Sequence, residues 1–177
     1  MAVYVYVATS LDGFIATSDG GVDWLMEIPN PDQSDYGFAE FMSGVDALVM
    51  GRNTFETVLS FGSWPFTKPV FVLSRTLEGV PDDIVGKAEI VSGPLSTLLA
   101  GLKERGYQNL YVDGGNVIQS FLAEDLVDEM IITRIPILLG EGIPLFGRLT
   151  KRLKFEHKRT ELLNETLAKS YYVRIRE

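Results

Sequence analysis

The chain of 177 residues contains no cysteine and a single histidine. The missing thiols remove disulfides, zinc-thiolate sites and cysteine nucleophiles together. One imidazole argues against a Ser-His-Asp triad and against a multi-histidine metal centre. That imidazole, His157, lies in the polar run Phe155-Glu156-His157-Lys158-Arg159 and reads as a strand-surface residue. Basic charge is also scarce, with 16 Lys and Arg against 24 Asp and Glu and a net charge of −8. A nucleic-acid or anionic-membrane partner needs a basic footprint, so neither is expected, although a few arginines can still build one local phosphate site. No stretch approaches the ~18 apolar residues of a membrane span. The opening Met1-Ala2-Val3-Tyr4-Val5-Tyr6-Val7 has no basic segment and no long apolar segment of a signal peptide. A cytoplasmic protein is expected.

What is present suits one globular domain over residues 1–177, with 46% hydrophobic and 23% charged residues. Residues 3–8 are β-branched and aromatic and read as a buried strand that ends in the polar turn Thr9-Ser10-Leu11-Asp12-Gly13. A long loop marked by Gly20-Gly21 and Pro29-Asn30-Pro31-Asp32 follows. Asp35, Phe38, Ala39 and Met42 then have helical spacing. Residues 46–50 and 69–73 read as buried strands, with a helix from Arg52 to Ser60 between them. Leu95, Leu98, Leu99 and Leu102 form a helical stripe closed by Gly106. A short strand over 109–112 and a second stripe of Val117, Ile118, Phe121 and Leu122 come next. Residues 127–135, 153–162 and 167–175 read as longer strands, the last two joined as a hairpin through Asn164-Glu165. Alternation of strand and helix that gives way to strands predicts a mixed sheet with helices on both faces.

Two segments share one design, a buried strand running through glycine into a helix: Leu48-Val49-Met50-Gly51-Arg52-Asn53-Thr54 and Leu110-Tyr111-Val112-Asp113-Gly114-Gly115-Asn116-Val117. Helix N-termini present unpaired N–H groups, and glycine lets a phosphate come close to the backbone. Each turn taken alone can equally use glycine only for positive φ. Neither spacing is a Rossmann fingerprint or a Walker loop. Arg52 and the pair Ser74-Arg75 stand at strand ends, where a guanidinium fork suits the 2′-phosphate that separates NADP from NAD; a solvent-facing role is the alternative. Asp35 begins the apolar stripe of its helix. Its carboxylate can accept two hydrogen bonds from a pterin or aminopyrimidine and assist protonation, or it can cap the helix.

The sequence resembles the dihydrofolate reductase superfamily, most closely the C-terminal reductase domain of the bifunctional riboflavin-biosynthesis deaminase/reductase. The resemblance is carried, in family order, by Ser10-Leu11-Asp12-Gly13-Phe14-Ile15-Ala16, Ala47-Leu48-Val49-Met50-Gly51-Arg52-Asn53-Thr54-Phe55-Glu56, Val70-Phe71-Val72-Leu73-Ser74-Arg75 and Asp113-Gly114-Gly115-Asn116. The most specific piece is Ile135-Pro136-Ile137-Leu138-Leu139-Gly140-Glu141-Gly142-Ile143-Pro144-Leu145-Phe146. It implies a dihydrofolate-reductase-like three-layer α/β fold whose central mixed sheet, mostly parallel with an antiparallel C-terminal hairpin, is flanked by about four helices. It implies NADPH as cofactor, with Gly51, Arg52, Thr54, Gly114, Gly115 and Asn116 along the pyrophosphate. Ser74 and Arg75 would face the adenosine phosphate, and Ala8 and Ile15 would border the nicotinamide. It also implies Asp35 as the catalytic acid, supported by Thr133, and a homodimer paired through the strand-rich C-terminal third.

Two departures bear on the substrate. The zinc deaminase half of the bifunctional enzyme is absent, as the missing cysteines require. Residues 24–42 carry Asp32, Asp35 and Glu40 and none of the basic residues that a ribose phosphate would want. The expected function is NADPH-dependent hydride transfer to a small nitrogen heterocycle, pterin-like or pyrimidine-like. The alternative is the 5-amino-6-(5-phosphoribosylamino)uracil reductase of riboflavin biosynthesis. A non-catalytic nucleotide-binding protein is the alternative of another class.

Overall fold

The structure is a computed structural model, and it describes residues 1–176. Fourteen elements need names. Strand β1 is Ala2–Thr9, β2 Phe14–Ala16, helix α1 Phe38–Ser43, β3 Ala47–Gly51, α2 Arg52–Ser60, β4 Val70–Leu73 and β5 Ala88–Val91. Then follow α3 Leu95–Glu104, β6 Asn109–Asp113, α4 Gly115–Ala123, β7 Glu129–Arg134, β8 Ile143–Pro144, β9 Lys154–Leu163 and β10 Leu167–Ile175. Eight strands form one sheet in the order β5-β4-β3-β6-β1-β7-β10-β9. The first six are parallel, and β10 and β9 close the sheet antiparallel. Strands β2 and β8 make a separate two-stranded sheet. Among the described residues no helix is long and apolar enough to cross a membrane.

Period-2 alternation divides the core between the two faces of the sheet. Val3, Val5, Ala47, Val49, Leu110 and Val112 face one side, where α3 contributes Leu95, Leu98 and Leu102 and α4 contributes Ile118, Phe121 and Leu122. Leu48, Met50, Val70, Val72 and Tyr111 face the other, under α1 and α2. Each fully buried aliphatic or aromatic side chain contributes ~1.5–3 kcal/mol, so both helical layers are held by their apolar stripes. The result is the mixed sheet with helices on its faces that the alternation predicts, in the three-layer arrangement that the resemblance implies. Strand β5, a four-residue edge strand with exposed Glu89, completes the sheet beyond the strands read from periodicity.

Helix α1 starts at Phe38, three residues after Asp35. Tyr36 and Gly37 adopt positive φ of 55° and 85°, which breaks the right-handed spiral before it can reach Asp35. The helix is stapled to the sheet by aromatic packing, with Phe41 4.7 Å from Tyr6 and 5.2 Å from Tyr111 between ring centroids.

Candidate active site

The C-terminal ends of β4, β3, β6 and β1 open onto a single large cavity of about 1170 Å³. This is the edge of an open α/β sheet where ligands bind. Ala8, Ile15, Gly51, Arg52, Thr54, Ser74, Arg75, Gly114, Gly115 and Asn116 all line it. The two strand-glycine-helix turns, 63 residues apart at Gly51 and Gly114, are thereby brought side by side. Their packing explains the glycines. A Cβ on Gly114 would run into Thr54 Oγ1, and the φ of 94° there is one that glycine alone adopts cheaply. A Cβ on Gly51 would press against Val117.

Neither α2 nor α4 has a side-chain cap at its N-terminus. The first-turn N–H groups of both helices therefore have no intrahelical partner and no capping side chain, at a place where the helix dipole favours an anion. At the β4 end of the cavity, Arg52 Nε pairs with Glu56 at 2.7 Å and Arg52 Nη1 donates to Thr76 Oγ1 at 2.9 Å. Ser74 Oγ accepts from the main-chain N–H groups of Thr76 and Leu77, which fixes the turn that carries Arg75. The donor set suits a dinucleotide with phosphates at its centre and one end.

The other end of the cavity is built by Tyr6, Val7, Ala8, Tyr111 and Leu25 around a single carboxyl, Asp113. Asp113 is the last residue of β6, half-buried, and accepts from Gly114 N at 2.8 Å. Burial lifts its pKa to about 6, against the opposing pull of the Gly114 amide and the neighbouring Tyr111 hydroxyl. In the sequence Asp113 is visible only as part of the Asp-Gly-Gly-Asn piece. Its signal was its place at the mouth of a buried strand, immediately before the turn.

Asp35 departs from the expected geometry. It is exposed and does not line the cavity, and its carboxylate accepts from Ala39 N and Gly37 N, both at 2.9 Å. Those two amides hold its pKa below the ordinary carboxylate range, the reverse of what burial would do for a proton donor. This is capping geometry, delivered from three residues ahead of Phe38. Thr133 is buried on β7, in register with Ala8 and Lys169, and it too does not line the cavity. Lys169 is buried and donates to Tyr36 O at 2.8 Å, while Tyr6 Oη donates to the same oxygen at 2.9 Å. These two bonds tie the loop before α1 to the sheet.

The family segment over residues 135–146 also has a visible reason. Asp12 accepts from Ser10 Oγ at 2.6 Å, Leu139 N at 3.2 Å and Gly140 N at 2.8 Å, so one carboxylate joins the turn after β1 to the loop after β7. Leu145 N donates to Gly13 O at 3.0 Å, and β2 pairs with β8 just beyond. This clamp positions Ile15 against Gly115 at the cavity wall.

Three comparisons place the molecule. The uncharacterized protein YwjB of Bacillus subtilis (strain 168) is 35% identical over 173 residues, 96% of either chain. The crystal structure of a candidate riboflavin biosynthesis protein from Shewanella sp. PV-4 superimposes with a TM-score of 0.96 at 51% identity, covering 99% of this chain and all of that one. A dihydrofolate reductase from Enterococcus faecalis, crystallised with NADP(H), shares the fold at a TM-score of 0.67 and 18% identity over 98% of this chain and 96% of its own. The RibD C-terminal domain matches residues 2–169, and the chain therefore belongs to the RibD C-terminal domain family, with a dihydrofolate-reductase-like fold.

Proposed function

We propose that the protein is a cytoplasmic NADPH-dependent reductase that delivers hydride to a small nitrogen heterocycle, pterin-like or pyrimidine-like. The observation that carries this reading is the two-ended cavity. At about 1170 Å³ it exceeds the ~300–1,000 Å³ of an ordinary single-ligand pocket, with donors at one end and a carboxyl among apolar side chains at the other. NADPH, when bound, supplies the hydride; the chain supplies binding, orientation and the proton. The amides of the first turns of α2 and α4 would hold the pyrophosphate, and Arg52, Ser74 and Arg75 the adenosine phosphate. Ala8 and Ile15 would flank the nicotinamide. Asp113, with a pKa of about 6, can accept an N–H edge when ionised and return a proton when protonated.

Membership of the RibD C-terminal family supports the alternative substrate, 5-amino-6-(5-phosphoribosylamino)uracil. A non-catalytic nucleotide-binding protein would have no use for a raised carboxyl beside its cofactor groove, which speaks against that third reading. We also propose a homodimer: β9 ends the sheet with an outer edge that no strand among the described residues pairs. Light scattering should find twice the chain mass at micromolar concentration, and a monomer there removes the claim.

Titration of NADPH against NADH, followed by quenching of Trp24 and Trp64, tests the cofactor. NADPH should bind more tightly. Arg75→Ala should weaken NADPH by about 10–100-fold, the value of one charge-assisted contact, and leave NADH almost unchanged. Equal loss for both cofactors would remove Arg75 from the 2′-phosphate.

A further inference from the structure

The charges of the cavity are unevenly distributed along the sheet. Its lining runs from β4 through β3 and β6 to β1, which are adjacent strands. Arg75 follows β4 and Arg52 begins the helix after β3; these are the only cations in the lining among the described residues. Adjacent strands lie ~4.8 Å apart, so three steps separate the Arg75 strand from β1 by roughly 14 Å. At the β1 end the ionisable groups are Asp113 and the two phenols Tyr6 and Tyr111. Of the remaining acids of the lining, Glu56 is paired with Arg52 and Asp19 adds charge of the same sign.

The two arginines have other work. Arg52 is held toward β4 by Glu56 and Thr76, and a dinucleotide phosphate would compete for both guanidiniums. Two cations stand close to the β1 end, Lys169 with Nζ 5.2 Å from the Tyr6 ring centroid and Arg134 in register with Thr9, and neither lines the cavity. The Lys169 Nζ is engaged by Tyr36 O at 2.8 Å. A phosphate brought to this end would meet a carboxyl, two phenols and apolar walls, with no cation to replace its lost hydration. An N–H edge would meet the Asp113 carboxyl, an acceptor in the cavity lining.

We propose that the substrate held at the β1 end is an unphosphorylated nitrogen heterocycle, neutral or cationic, that presents an N–H edge to the Asp113 carboxyl. The proposal rests on the reductase reading and names its substrate class. It separates the heterocycle from the phosphoribosylated pyrimidine by charge alone.

The test uses two pairs of probes that differ only in phosphate. One pair is 6-hydroxymethyl-7,8-dihydropterin and its diphosphate; the other is 5-amino-6-ribosylaminouracil and its 5′-phosphate. Each is titrated by calorimetry into the NADPH-loaded protein. In at least one pair the unphosphorylated member should bind about tenfold or more tightly than its phosphate ester. In Asp113→Asn that ratio should shrink toward one, because the repelling charge is gone, while Leu25→Arg should invert it. A phosphorylated member that binds as tightly as its partner in both pairs, or failure of both pairs to bind, overturns the proposal. Failure of NADPH itself to bind defeats the reductase reading instead, and the same four titrations on the protein alone still decide the charge preference.

Discussion

Asp35 and Asp113 carry the same functional group in opposite settings. Exposed Asp35 gives both oxygens to main-chain amides that favour its charge, whereas burial at the strand end works against the charge of Asp113. Asn offers one acceptor oxygen where Asp35 uses two, so Asp35→Asn should lose about 1 kcal/mol of stability with one amide bond and keep its turnover within about twofold. Asp113→Asn should lose turnover by roughly 10²–10³-fold while remaining folded, since an amide neither binds an N–H edge by charge nor delivers a proton. Measuring kcat and melting temperature for the pair checks both outcomes. The pH dependence has a definite sign. A carboxyl with a folded pKa of about 6 and an unfolded value of 3.8 binds more protons in the native state, so its effect on stability worsens as pH rises from about 4 to 6. Asp113→Asn should therefore gain stability relative to the parent at pH 7 compared with pH 4. Sequence periodicity could put Asp35 near a helix start, but it could not foresee that Tyr36 and Gly37 turn left-handed and push the carboxylate outward. Asp113 was legible only as strand-end punctuation, because its burial depends on β3 and β1 meeting β6 from other parts of the chain.

The elements themselves were largely readable, since buried strands and striped helices have periods of 2 and 3.6 and the same residues that set the period fill the core. Strand β5 escaped because four residues with an exposed Glu89 and no alternation long enough to count carry little signal. The segment over 135–146 was recognisable as a family piece without a physical reason. Its reason is long-range, the Asp12 carboxylate meeting Leu139 N and Gly140 N across more than 120 residues of sequence. The junction of α2 and α4 is the element on which the cofactor reading depends, and Gly114 is its contact point. Gly114→Ala must place a methyl group on Thr54 Oγ1 at a φ of 94°, two independent penalties. The variant should lose about 2–4 kcal/mol in denaturant unfolding and bind NADPH at least tenfold more weakly. Gly114→Ala combined with Thr54→Ser keeps the hydroxyl that makes the contact and should recover little. Thr54→Ala in its place should recover part of the stability by clearing the space.

At the scale of the molecule, the chain is closed at its C-terminal end by ion pairs on the edge opposite the cavity. Arg174 on β10 pairs with Asp125 at 2.6 Å, Lys151 reaches Asp125 at 3.1 Å, and Arg176 pairs with Asp128, whose other oxygen accepts from Val3 N. The network joins the loop after α4, the last strand and the first strand. In a molecule of net charge −8 it is a local reversal of sign, with three cations gathered on two acids. Arg174 and Asp125 are 8% and 15% exposed in their side chains, so the pair is shielded, while Lys151 and Arg176 remain in solvent and contribute less. Hydrogen bonding from Arg174 is the largest influence on Asp125 and carries its pKa down to about 2. A folded pKa below the unfolded value means that the stabilisation is fully present above about pH 4 and is lost as pH falls through about 2. Asp125 also sits at a φ of 58°, which Asn tolerates, so Asp125→Asn removes the charge without adding backbone strain. That variant should unfold with about 1–3 kcal/mol less stability than the parent at pH 7 and converge with it near pH 2. Cofactor binding, on the far side of the sheet edge, should be unchanged. Denaturant unfolding of the two proteins across pH 2–7 measures the difference, and a gap that stays constant down to pH 2 would show that packing, not the Asp125 charge, holds this end of the molecule.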